Sequence, residues 1–87
     1  MDGKIIKEVS IIITDGTNQD IVSDIRSLVW EHSDLTVDQI MVYRLSANHP
    51  TALVIRSKMN DDSYAYVKKR IEEMYPGLCT FNPPMRV

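Results

Sequence analysis

The sequence predicts an α+β sandwich in which one antiparallel four-stranded sheet carries two helices on a single face. Three observations carry that expectation. Segments rich in Ile and Val alternate with segments of helical periodicity, in the order β-α-β-β-α-β. Turn and cap residues fall between them, at Asp15-Gly16, Ser33-Asp34, Ser46 to Pro50 and Pro76-Gly77. The 87 residues are 44% hydrophobic, which suits one core and leaves little room for a second.

The first strand is expected over Lys4 to Thr14, KIIKEVSIIIT, with Val9, Ile11 and Ile13 on the core face and Ile6, Ser10 and Ile12 on the other. A helix follows from about Asn18 to His32. Thr17 is its expected cap, with Asp20 three residues on in capping-box spacing. Ile21, Val22, Ile25, Leu28 and Val29 fall in one arc of the helical wheel. Thr36 to Gln39 repeats a cap signature and suggests a single turn.

Ile40 to Leu45 and Thr51 to Ser57 read as two strands joined by a loop over residues 46–50. Met41, Tyr43, Leu53 and Ile55 are assigned to the core, and Ile40, Val42 and Val54 to the opposite face. The second strand is apolar on both faces, so its phase is open by one residue. Asn60, Asp61 or Asp62 caps the second helix, whose stripe is Tyr64, Val67, Ile71, Met74 and Tyr75. Lys68 with Glu72, and Lys69 with Glu73, are spaced for ion pairs on its solvated side. Pro76-Gly77 stops that helix, and Leu78 to Phe81 is a short last strand. Residues 1–87 form one expected domain, with 82–87 a loose tail after Asn82-Pro83-Pro84.

This order resembles the ferredoxin-like split β-α-β superfold, which hosts many unrelated functions and therefore names none. Length and element order are also similar to those of the acylphosphatases. That family holds phosphate with an arginine in the loop after the first strand. Here the loop is Asp15-Gly16-Thr17-Asn18, with no arginine, so that activity is not expected. One glycine also makes no phosphate-cradling P-loop.

Ten basic and twelve acidic residues give a net charge of −2, without a charge block. A basic nucleic-acid scaffold is therefore not expected. The single Cys79 forms no intramolecular disulfide and suits a reducing compartment, hence a cytoplasmic protein. No run approaches the roughly 20 apolar residues of a membrane span. No metal or other cofactor is expected, because His32, His49, Asp15, Asp34 and Cys79 would have to converge from separate loops. His32 reads as a half-buried residue at a helix end, and Cys79 as a structural thiol.

The stronger signal is surplus apolar surface. Trp30 points away from the helical stripe and joins Ser23, Arg26 and Ser27. Tyr66 likewise leaves the stripe of the second helix. Only one sheet face is covered by helices, yet both faces are apolar, and such a surface needs a partner. The leading expectation is a non-catalytic protein-binding or homodimerising domain contacting its partner through Ile12, Trp30, Val42, Tyr43, Val54 and Tyr66. The alternative is weak nucleic-acid binding through Arg56, Lys58, Lys68, Lys69 and Arg70. A small enzyme ranks third; it would need a cleft gathering Asp15, His49 or Cys79.

Overall fold

The computed structural model describes residues 5–34 and 38–82. The elements are β1 (Lys7–Ile13), α1 (Gln19–His32), β2 (Met41–Ser46), β3 (His49–Met59), α2 (Asp61–Met74) and β4 (Cys79–Asn82). The sheet order is β2-β3-β1-β4, with every neighbouring pair antiparallel. This is the ferredoxin-like β-α-β-β-α-β sandwich.

Pairing register decides the faces. Ile11 stands between Ile55 of β3 and Phe81 of β4, and Ile13 between Leu53 and Cys79. Directly paired residues share a face, so these side chains point toward the helices. Val9, Ile11, Ile13, Ile55 and Met59 meet Ile25 and Val29 of α1 and Val67 and Ile71 of α2 in one buried cluster. The opposite face carries Ser10, Ile12, Val54, Arg56 and Thr80. The expected phases of β1 and of both helical stripes agree with this cluster. Met74 departs from its stripe and is exposed.

Several expectations need correction. The cap of α1 is Asn18, not Thr17: Asn18 Oδ1 accepts from the backbone N–H of Asp20 at 3.0 Å and of Ile21 at 3.3 Å. Thr17 instead turns back to Asp15, whose Oδ1 accepts from its N–H at 3.1 Å and its hydroxyl at 2.7 Å. Both residues have cap chemistry; the earlier Asp-Gly-Thr turn engages Thr17 and leaves Asn18 facing the first free amides. Asn60 caps α2, accepting from Ser63 N–H at 2.8 Å. The loop expected over residues 46–50 is shorter. Ser46 pairs with His49 across the two-residue turn Ala47–Asn48, and β3 begins at His49. Pro50 is tolerated because this hairpin tip runs past the end of β1 at the Ile13–Leu53 pair, where no β1 ladder demands its missing N–H.

The phase of β2 is the reverse of that expected. Met41 pairs with Arg56 and Tyr43 with Val54, on the open face, whereas Val42 pairs with Ile55 on the helix side. Alternation could not decide this, because both sets are apolar. The single turn expected at Thr36 to Gln39 and the tail beyond Asn82 lie largely outside the described residues. Asn82 itself closes β4.

Two polar links fix α1 on the sheet. Ser33 Oγ donates to Val29 O at 2.6 Å and accepts from Ser57 Oγ, so the buried Ser57 is satisfied. Asp34 N–H donates to Lys58 O at 2.7 Å. Between the helices, Tyr75 Oη donates to Asp24 Oδ2 at 2.8 Å. That bond to a carboxylate pushes the Tyr75 phenol above its ordinary pKa.

Candidate interaction surface

Edge strand β2 has no buried residue along its length. Met41 is 54% exposed, Tyr43 40%, Leu45 39% and Val42 37%. The strand is accessible on both faces, with Met41 and Tyr43 on the open face and Val42 beside Arg44 on the helix side, and among the described residues no strand lies along the edge away from β3. Arg44 is its single charge. Natural edge strands are more often blunted by charge, proline or shortness. The opposite edge, β4, is only four residues long, and Lys68 Nζ lies 5.8 Å from the centroid of its Phe81 ring.

Trp30 is 51% exposed and stands about 100–140° round α1 from the buried Val29 and Ile25. It lines a groove of about 480 Å³ between the outer side of α1 and the chain entering β2, with Ser23, Arg26, Ser27 and Glu31 on one wall and Asp38, Gln39 and Ile40 on the other. Trp30 and the β2 edge thus lie on the same side of the molecule. The expected contact residues divide accordingly. Ile12 is half-buried at the middle of the open face, between Val54 and Thr80. Tyr43 and Trp30 are accessible. Val42 is accessible too, but on the helix side of the sheet. Val54 is a correction: flanked by Tyr43 and Ile12, it is only 5% exposed and offers a partner almost no area. Tyr66 lies apart, with its ring centroid 4.8 Å from that of His32. That contact joins α1 to α2 and accounts for the half-buried histidine at the end of α1. Met41 is the residue that sequence reasoning missed; its signal was the strand's double apolar face.

The basic residues do not gather. Arg56 and Lys58 project from the open face, whereas Lys68, Lys69 and Arg70 belong to α2 on the other side of the sheet. Arg56 is hydrogen-bonded to Glu8, and that contact, followed by Tyr43, holds its guanidinium above its ordinary pKa. Lys58 stands opposite Glu8 in the β1–β3 pairing. On α2, Arg70 reaches Glu73 at 3.3 Å, an i,i+3 pair in place of the expected i,i+4 pairs.

The chemistry-bearing residues are equally dispersed. Burial pushes the Cys79 thiol up to about 11, which disfavours a thiolate nucleophile. His49 Nδ1 lies 3.1 Å from Ser46 Oγ at the hairpin turn. The Thr17 hydrogen bonds hold the exposed Asp15 below the usual carboxylate range. Among the described residues, no three His, Cys, Asp or Glu side chains stand close enough to hold a metal ion, and no helix is long and apolar enough to cross a membrane.

No protein-family model matches the chain, and no curated protein matches its sequence. Among solved structures, the divalent cation tolerance protein Cut A1 from Thermus thermophilus aligns over 92% of this chain and 86% of its own, with 14% sequence identity and a TM-score of 0.49. That likeness is one of fold alone.

Proposed function

We propose that this chain is a protein-binding or self-assembly domain whose contact surface is its β2 side. The observation that supports this reading is an edge strand whose apolar side chains are exposed along its length, with Trp30 exposed beside it. Leaving Met41, Val42, Tyr43 and Leu45 in water forgoes about 25 cal/mol for each Å² a partner would cover. None of these side chains belongs to the buried cluster, and what they cover within the fold is chiefly Val54, beside Tyr43. Aromatic residues and methionine are the types enriched in interface centres.

The test compares the parent with a Met41→Asp/Tyr43→Asp variant. Both positions are exposed, so the variant retains its fold, as circular dichroism will verify. Light scattering at rising concentration reads self-association, and capture from cell extract reads foreign partners. Loss in the variant of an assembly or a partner held by the parent supports the reading. Identical association and identical captured proteins in the two forms refute it.

A further inference from the structure

We infer that the partner on the β2 side is a second copy of this chain, joined by antiparallel β2–β2 pairing into one eight-stranded sheet, with Trp30 of each copy filling the space between the two α1 helices. The inference rests on the binding role proposed above and adds the occupant and its geometry.

Backbone comes first. β2 runs in regular register from Met41 to Arg44, ahead of a register shift between Arg44 and Ser46, and a strand laid along that stretch and the residues entering it satisfies their outward N–H and C=O groups. That strand must present apolar residues to Met41 and Tyr43 on the open face and to Val42 on the helix side. β2 meets this requirement itself. In a two-fold pairing, residues that oppose each other share a face.

The level of α1 against the sheet selects the register. Ser33 is tied to Ser57, which lies two residues along β3 from Ile55, the partner of Val42. At about 3.3 Å per strand residue and 1.5 Å per helix residue, Val42 stands level with the region of Leu28 and Val29 in α1. A two-fold axis at Val42 sets Val42 against its own copy and Met41 against Tyr43 of the second copy. It also sets Arg44 against Ile40, so the two Arg44 side chains stay well apart. The same axis aligns the outer face of α1 with itself in reverse. Arg26 then faces Glu31 of the second copy, and Trp30 faces Ser27.

Spacing explains the size of those side chains. α1 lies over β3, and in the joined sheet the two β3 strands are three strand spacings apart, about 14 Å. Closely packed helices sit about 8–10 Å apart. Helices seated over β3 leave a gap that short side chains cannot close. Trp30, Arg26 and Glu31 are long enough to span it, and they line the groove found there.

Cross-linking tests the register directly. In a Cys79→Ala background, Val42→Cys places two thiols across the axis. Directly opposed strand residues have Cα atoms about 4.5–5.5 Å apart, within disulfide range. Mild oxidation is expected to give a covalent dimer with Val42→Cys, and none with Thr80→Cys on β4. Charge exchange tests the helix contact without a new thiol. Arg26→Glu is expected to weaken dimerisation about tenfold, and Arg26→Glu/Glu31→Arg to restore it. A monomer by light scattering with no Val42→Cys dimer overturns the second copy as occupant. A dimer that resists Arg26→Glu but is lost in Ile12→Glu overturns the edge geometry in favour of stacked open faces. The broader binding role is judged separately, by what the Met41→Asp/Tyr43→Asp variant fails to capture.

Discussion

Replacing Gly16 with alanine probes the junction between β1 and α1. Gly16 N–H donates to Thr51 O at 2.7 Å, which draws this loop tightly onto the start of β3. A Cβ on Gly16 would lie 2.6 Å from Leu53 Cδ1, 2.8 Å from Leu53 Cγ and 3.1 Å from Thr51 O. The first atom is the end of a flexible side chain. The second is closer to the backbone, and the third belongs to it. Leu53 also packs against the core cluster, so it must leave its rotamer to make room. That displacement costs about 0.5–1.5 kcal/mol, and overpacking of this kind totals about 1–3 kcal/mol. The lost freedom of the unfolded chain returns about 0.4–1 kcal/mol. The expected net loss for Gly16→Ala is about 1–2 kcal/mol, read by urea denaturation as a lower midpoint at unchanged slope. The cause is separable by a cycle. Leu53→Ala removes both clashing carbons, so in that background Gly16→Ala should cost about 1 kcal/mol less than in the parent. Equal effects in the two backgrounds, or stabilisation in the parent, would refute the steric account.

Asn18→Ala removes the acceptor for two amides at the start of α1 and should lower stability by about 1 kcal/mol, while Thr17→Ala should leave the helix cap intact; comparing the two unfolding midpoints decides which residue is the cap. Stability should fall as pH rises from 9.0 to about 11, because the unfolded chain releases the Cys79 proton first while the half-buried thiol keeps it. That loss stays below about 3 kcal/mol, because solvent screens the half-exposed thiol, and it disappears in Cys79→Ala; native-state alkylation near neutral pH should be correspondingly slow. Trp30→Ala should change monomer stability by no more than about 0.5 kcal/mol, since the side chain is half exposed. Trp30 emission should shift blue with protein concentration as assembly covers the ring, and a blue-shifted spectrum in dilute monomer would place it in the core instead.

The element order, both helical stripes and the core face of β1 were legible in the sequence, because each is a local periodicity. Val9, Ile11 and Ile13 repeat at two residues, and Ile25 and Val29 at four, so one buried face follows from the chain alone. The exposure of Trp30 was legible in the same way, from its angle around α1. The phase of β2 was not: Met41-Val42-Tyr43 is apolar at every position, and only hydrogen-bonded register against Arg56, Ile55 and Val54 decides which residues face the helices. The cap of α1 depended on which of two competent neighbours the Asp15 turn engaged first. Likewise, tertiary placement buries Val54 between Tyr43 and Ile12 and sends Arg56 and Lys68 to opposite sides of the sheet. Periodicity determines which face of an element is apolar. Whether another element covers that face is a fact of sheet order, and sheet order here leaves β2 at the edge with Trp30 beside it.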